Sequence, residues 1–150
     1  MKSISSSFRS LRLAAALLTA ALLSALSTGA AQAEERGKTA QGLAYVSGGV
    51  SDTEQQQLQH ERPAYSLWVV TAAMGSGAYV ADARLRIRDA KGELVFDRQL
   101  DGPWLLINLA LGQYEVETDW QAQTVRSTTT IHAGDHHQIL AYFKLADDAK

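Results

Sequence analysis

The stretch WLLINLALGQYEVET, Trp104 to Thr118, decides the fold of this chain. Its first half is apolar except for Asn108, as expected for a strand that is buried on both faces. After Gly112 the residues alternate, which places neighbouring side chains on opposite faces of a second, half-exposed strand. The predicted inward residues are Tyr114, Val116 and Thr118, and the outward ones are Glu115, Glu117 and Asp119.

A hairpin is expected upstream of this stretch. Arg84 to Arg88 alternates between charged and apolar residues, and Glu93 to Asp97 runs back after a turn at Asp89 to Gly92. If Arg88 lies opposite Glu93, the apolar pairs of the two strands fall on one face of the hairpin and two opposite-charge pairs fall on the other. The remaining predicted pairs are Ile87 with Leu94, Arg86 with Val95, Leu85 with Phe96 and Arg84 with Asp97.

A second hairpin is expected downstream, with Gln121-Ala122 as its tight turn. With this turn, Thr118 lies opposite Val125 and Glu117 lies opposite Arg126, so apolar and charged side chains again fall on different faces. The returning strand is Thr124 to Ile131, rich in threonine. The opening stretch therefore lies in the middle of a β-sheet.

The remaining segments complete a sandwich. Glu34 to Gly42 is polar and aperiodic, as in a mobile leader. A capping box, Ser51 with Glu54, starts a short surface helix that ends before Pro63. The other predicted elements are Leu43 to Val46, Tyr65 to Ala73, Trp104 to Leu109 and Gln138 to Leu145. About seven strands joined by short turns predict an all-β fold, an antiparallel β-sandwich with one peripheral helix.

The N-terminus has the three parts of a secretory signal. Three basic residues (Lys2, Arg9, Arg12) precede the apolar segment Leu13 to Leu26, and Ala31-Gln32-Ala33 is a small-residue cleavage site. The apolar segment is shorter than the roughly 20 residues that span a bilayer. We therefore expect cleavage after Ala33, no stable membrane anchor, and a periplasmic or secreted protein of a Gram-negative bacterium. The predicted organisation is 1–33 signal peptide, 34–63 leader and short helix, and 64–146 sandwich domain.

Charge and cysteine content limit the function classes. The signal would remove three of the 14 basic residues and none of the 16 acidic ones, which leaves a formal net charge of −5. Nucleic-acid binding is disfavoured, because phosphate contacts need an excess of clustered Lys and Arg. The chain has no cysteine, so the fold has no disulfide and depends on its core.

The segment Leu109 to Val116, LALGQYEV, resembles the L-P-P-G-x-Y-x-V signature of carboxypeptidase regulatory-like domains. Ala110 and Leu111 stand where the family has prolines. Ala83 to Phe96 is similar to the family's strand, D-x-x-G turn and return strand, and Thr124 to Ile131 resembles its closing strand. The resemblance covers about residues 65 to 145. Tyr45 to Gly49 and Gly77 to Asp82 look like small secreted proteobacterial members of this group.

This resemblance implies a transthyretin-like, or prealbumin-like, sandwich without catalysis. The H-x-x-E zinc motif that accompanies such domains in metallocarboxypeptidases is missing from the sequence. A transthyretin-like hydrolase acting on hydroxyisourate would end in Tyr-Arg-Gly-Ser, whereas this chain ends in Leu-Ala-Asp-Asp-Ala-Lys. The resemblance implies no cofactor.

Histidines near one turn are the candidate metal ligands. His132, Asp135, His136 and His137 offer the imidazole and carboxylate groups that zinc, copper or nickel accept. Adjacent histidines on a strand point to opposite faces, which works against shared ligation by His136 and His137. A solvated turn is the simpler interpretation.

Binding candidates are sought among surface aromatics and cations. The row Arg84, Arg86 and Arg88 offers groups that capture anions, although pairing with Glu93 and Asp97 is favoured. Trp68 and Trp104 are expected in the core, while Trp120, beside a polar turn, is the strongest contact candidate. Tyr79 and Asp82 belong to the first surface to consider, which combines the Gly48 to Asp52 loop with the Gly75 to Asp82 segment.

Three functions are therefore open. The first is a non-enzymatic binding or interaction module that recognises an unidentified protein or small ligand in the periplasm. The second is a periplasmic transition-metal-binding protein using the His132 to His137 turn. The third is a hydrolase, but no G-x-S-x-G elbow or Cys nucleophile is present, and acids alternating along one strand are typical of a solvated face.

Overall fold

The computed structural model describes residues 34–146, so the expected signal peptide and its cleavage site lie outside the described residues. Within this range the chain forms nine strands, one α-helix (α1, Asp52–Glu61) and a 3₁₀ turn (Arg62–Ala64). No helix in this range is long and apolar enough to cross a membrane. The strands are β1 (Glu35–Lys38), β2 (Ala44–Gly48), β3 (Leu67–Ala73), β4 (Arg84–Asp89), β5 (Leu94–Gln99), β6 (Trp104–Ile107), β7 (Gly112–Trp120), β8 (Gln123–Ile131) and β9 (His137–Phe143).

Two sheets pack into an all-β sandwich, as predicted. One sheet has the order β1-β2-β6-β3-β9 and the other has the order β5-β4-β7-β8. Every ladder is antiparallel except β3 with β9, which run parallel. The main core lies between the sheets and includes the alternating residues Leu85, Ile87, Tyr114 and Val116.

The position of strand β6 explains why the opening stretch begins with four consecutive apolar residues. It lies in the middle of its sheet, between β2 and β3. Leu105 and Ile107 face the main core between the sheets. Trp104 and Leu106 face a second core on the outer side, where Leu58 of α1 packs against Trp68 and its neighbours. Both faces of β6 are thus covered. A sequence alternating between apolar and polar residues would bury its polar side chains on one of these faces, which is unfavourable.

Helix α1 is held by its cap and by one apolar side chain. The Ser51 hydroxyl accepts a hydrogen bond from the Glu54 amide (3.2 Å), as the capping box predicts. The Glu54 carboxylate accepts from the Val50 amide at 2.9 Å. Leu58 is fully buried, so a helix that is otherwise polar is anchored to the sheet through this residue.

The predicted register of the β4–β5 hairpin is wrong. The turn forms as expected, with Gly92 at a φ of 79°, but Arg88 lies opposite Leu94 rather than Glu93. The register then shifts, and Ile87 faces Phe96. Val95 is the extra residue of a β-bulge, which lets Val95 and Phe96 both be buried, whereas strict alternation would expose one of them.

The prediction of a mobile leader at Glu34 to Gly42 is also wrong, because β1 forms within this segment and pairs with β2. Polar contacts hold this strand in place rather than apolar periodicity. Arg36 donates two hydrogen bonds to Glu61 of α1 (2.8 Å each), and Glu35 accepts one from the Tyr45 hydroxyl at 2.9 Å. Strand β1 was not predicted, whereas β2 corresponds to the predicted element Leu43 to Val46, and the total is nine strands where about seven were expected.

The second hairpin has the predicted register, with Glu117 opposite Arg126 and Thr118 opposite Val125. Its two-residue turn, Gln121-Ala122, has left-handed φ angles of 45° and 61°. Both positive angles match the type I′ turn that suits hairpin twist but favours Asn and Gly. An alanine in this conformation is strained by roughly 1–2 kcal/mol.

Replacing Ala122 by glycine is therefore expected to raise the free energy of unfolding by about 1 kcal/mol, because the strain relieved exceeds the entropy glycine adds to the unfolded chain. Urea denaturation measures the change. Ala133→Gly is the matched control, since Ala133 is exposed in the next turn without a positive φ, and it should lower stability instead. A122G no more stable than the parent would contradict the assigned turn.

Candidate functional site

The two loops expected to form the first surface lie side by side. Between them is a shallow groove of about 140 Å³. Gly49 and Val50 come from the first loop and Tyr79 and Ala81 from the second, as expected from the sequence. Gln55 of α1 and Pro103 complete the lining. These two residues were not predicted. Beside Pro103, the backbone of Gly102 lies so close to the Gly48 carbonyl that an added Cβ would be 2.2 Å from its oxygen.

Trp104 supports the groove from beneath. The ring of Tyr79 meets the Trp104 indole edge to face, with centroids 5.8 Å apart. On the other side, a Cβ atom added to Gly49 would lie 3.0 Å from Trp104 Cγ, and Gly49 has a φ of 85°. Glycine is thus required at position 49 by both the backbone conformation and the indole.

Two indole N–H groups beneath this surface have no acceptor. The Nε1 atoms of Trp68 and Trp104 are buried and make no hydrogen bond to any described residue. The two rings contact each other with centroids 4.8 Å apart, and the Arg62 guanidinium stacks on Trp68 at 4.3 Å. The cluster packs against Leu58 of α1.

Hydrogen bonds fix the walls of the groove. The Thr71 hydroxyl lies 2.6 Å from the Val80 carbonyl and 3.1 Å from the Pro103 carbonyl, which joins the second loop to the Pro103 wall. In the first loop, Gln55 donates to the Gly49 carbonyl at 2.8 Å. The groove is therefore formed before any ligand binds.

Trp120 has a different position from the one expected of a contact residue. It is the least buried of the three tryptophans, and Trp68 and Trp104 are in the core as predicted. However, its ring packs against Phe143 at 5.6 Å, and its Nε1 donates to the Ala81 carbonyl at 3.0 Å. Trp120 thus positions the loop that carries Tyr79.

Asp82 follows the groove residues at the end of this loop. It is exposed and has a φ of 62°. Tyr79 keeps 49% of its surface exposed. Of the predicted binding residues, the structure therefore brings Tyr79 to the groove and leaves Asp82 beside it.

The predicted arginine row lies on the outer face of the other sheet. Arg84 pairs with Asp97 at 2.8 Å, although the two residues are not directly opposed. Arg86 pairs with Glu117 and Asp119 of β7 rather than with β5. Arg88 contacts the Gly92 carbonyl at 3.3 Å instead of Glu93. The three guanidinium groups are thus bound to acceptors in the described part of the chain, and they do not form a preformed anion site there.

The candidate metal ligands of the His132 to His137 turn do not point toward a common position. Asp135 accepts hydrogen bonds from the His132 amide (2.7 Å) and contacts His137 Nε2 (2.9 Å), and these contacts, His137 first, lower the pKa of Asp135. His136 turns the other way, with Nδ1 2.9 Å from the Tyr65 carbonyl. No group of three potential ligands converges anywhere in residues 34–146.

Comparison with family models finds no match for this chain, and comparison with curated proteins finds no significant similarity. The resemblance to carboxypeptidase regulatory-like domains therefore stays a prediction from the quoted motifs.

Glu117 is the centre of the charged face, because Arg126 (2.6 Å) and Arg86 both bind it. The hydrogen bond from Arg126 is the main cause that lowers its pKa, and partial burial opposes the shift. A carboxylate with a lowered folded pKa stabilises the fold above its unfolded pKa and loses that contribution as pH falls through the folded value.

We expect Glu117→Gln to lower the free energy of unfolding by about 1 kcal/mol at pH 7, and the difference from the parent to shrink below about pH 4.5. Urea denaturation across pH 3 to 8 measures this. Glu115→Gln is the control, because Glu115 lies on the same strand face and makes no ion pair in the described chain. An equal effect of both substitutions would contradict the assigned role of Glu117.

Proposed function

We propose that this protein is a non-enzymatic, secreted binding module whose ligand site is the groove between the Gly49 and Tyr79 loops. The observation that supports this most directly is Tyr79, which is half exposed yet held edge to face on the buried Trp104. Exposed aromatic rings on rigid supports supply large contact area at low entropic cost.

The lining indicates what the groove would accept. Val50, Tyr79, Ala81 and Pro103 offer apolar and aromatic surface, and the Gln55 side chain adds one polar group. A volume of about 140 Å³ fits a single side chain better than a complete ligand of drug size. We therefore infer that the partner inserts one apolar or aromatic group, such as a side chain of a protein segment.

The same lining supports a role without catalysis. Among the six groove residues there is no His, Asp, Glu, Lys, Ser or Cys to act as nucleophile or general base. Two of the groups that suggested chemistry, Glu117 and Asp135, lie elsewhere and are paired within the chain.

The sequence pattern of residues 1–33 supports secretion to the periplasm or beyond. Intact-mass measurement of the protein from a Gram-negative host is expected to show a chain beginning at Glu34. A chain retaining residues 1–33 in the cytoplasm would contradict this part of the proposal.

Fragment titration followed by NMR tests the groove. Phenol, indole and short tyrosine- or leucine-containing peptides are added to ¹⁵N-labelled protein, and shifts are expected at the Gly49, Val50 and Ala81 amides and at the Trp104 indole. Tyr79→Ala should weaken binding about tenfold, because it removes the aromatic wall. Leu111→Ala, which trims an exposed apolar side chain outside the groove, should leave binding unchanged.

Shifts that cluster away from the groove, or equal losses in Y79A and L111A, would overturn the assigned site. Absence of shifts with every probe would overturn the apolar or aromatic specificity. Thermal unfolding of both variants shows whether each remains folded.

A further inference from the structure

The sandwich has four edge strands, and three of them carry devices that discourage pairing with another chain. Strand β1 is four residues long and contains Glu35, Arg36 and Lys38. Strand β5 carries Asp97 and Arg98, and its Leu94 carbonyl is within hydrogen-bond distance of the Gln41 amide group (3.4 Å). Short length, charge and covering groups are the usual protection of sheet edges.

Strand β8 is also protected by polarity. Its exposed side chains are Thr124, Arg126, Thr128 and Thr130, so a neighbouring strand would gain little apolar burial there. Arg126 is already paired with Glu117 at 2.6 Å.

Strand β9 lacks these devices. No residue from Gln138 to Phe143 is charged, and Leu140 and Tyr142 leave 45% and 42% of their surface exposed. Within residues 34–146 the strand forms a ladder only with β3, and β8 of the other sheet comes near it without pairing with it. An apolar edge without charged side chains is the kind that accepts a further strand.

Backbone geometry defines which groups are available on β9. His137 N donates to the Ser66 carbonyl, and the Phe143 carbonyl accepts from Met74 N, so the odd-numbered residues bond to β3. In a parallel ladder the intervening residues point their N–H and C=O groups away from the partner. Gln138, Leu140 and Tyr142 therefore direct three donors and three acceptors outward.

The row of outward backbone N–H and C=O groups on β9 ends where the Gln123 side chain binds the backbone. Gln123 of β8 binds both backbone groups of Lys144, donating to its carbonyl at 2.8 Å and accepting from its amide at 2.9 Å. Lys144 is the next residue whose groups would point outward. The open part of the edge thus runs from Gln138 to Tyr142, with Leu140 at its centre.

We propose that β9 pairs antiparallel with β9 of a second copy of this chain, on a two-fold axis at Leu140. In this register Leu140 faces the partner subunit's Leu140, and Gln138 faces the partner subunit's Tyr142. Each outward residue meets an outward residue, which gives six backbone hydrogen bonds. The two five-stranded sheets become one sheet of ten strands.

The observations favour a second copy over a different partner because the open edge is complementary to itself. The three outward residues are symmetric about Leu140, the Gln123 side chain closes the edge at Lys144, and no like charges are opposed. The pairing is independent of the proposed groove, since Tyr79 bridges to β3 on the side away from β9. Failure of one proposal therefore leaves the other standing.

The absence of cysteine makes a direct test of the register possible. Directly opposed residues of a hydrogen-bonded antiparallel pair have Cα atoms about 5.5 Å apart, within disulfide range. Leu140→Cys is therefore expected to form a disulfide-linked dimer under mild oxidation. Tyr142→Cys is the matched control, because two such residues would be offset by four positions, about 13 Å, beyond that range.

Sedimentation and amide exchange test the association without cross-linking. We expect a concentration-dependent dimer in which the Leu140 and Tyr142 amides exchange as slowly as those of Ile139 and Ala141. Leu140→Lys opposes two like charges on the axis and should weaken the dimer at least about tenfold. Thr128→Lys, which introduces the same residue at an exposed position of β8, should leave the dimer unchanged.

A monomer at millimolar concentration with fast exchange at Leu140 and Tyr142 would overturn the proposal. Equal cross-linking of L140C and Y142C, or a dimer equally weakened by L140K and T128K, would also overturn it. Thermal unfolding of each variant establishes that it is folded, and the exchange pattern of the parent protein requires no substitution.

Discussion

The burial of β6 on both of its faces is the constraint on which the rest of this structure depends. One face completes the core between the two sheets, and the other supports the aromatic cluster beneath α1. Trp104 belongs to this second face and is also the support of the candidate groove. The strand that stabilises the sandwich therefore also positions the surface to which we assign binding.

The groove shows how rigidity is obtained without disulfides. Thr71 joins the Tyr79 loop to Pro103, and Trp120 donates to the Ala81 carbonyl, so buried and half-buried groups hold loops that are themselves exposed. A site held open in advance does not have to order its loops when it binds.

The charged and apolar surfaces lie on different parts of the sandwich. On the outer face of one sheet, Arg86 and Arg126 converge on Glu117, and their charges are largely satisfied within the chain. On the other sheet, α1 covers only the strands near Trp68 and Trp104, and β9 keeps an apolar, uncharged edge. The surfaces suited to contact with other molecules are therefore the groove and this edge.

The sequence by itself determined the sandwich, the turn at Asp89 to Gly92 and the pairing of Glu117 with Arg126, because periodicity and turn residues are local signals. It also indicated the two loops that form the groove. Only the tertiary structure decided the bulge at Val95, the ordering of β1, the parallel pairing of β9 and the place of Trp120. The bulge depends on the packing of Val95 and Phe96 in the core. The other three depend on contacts between distant parts of the chain, which leave no periodic pattern in either segment.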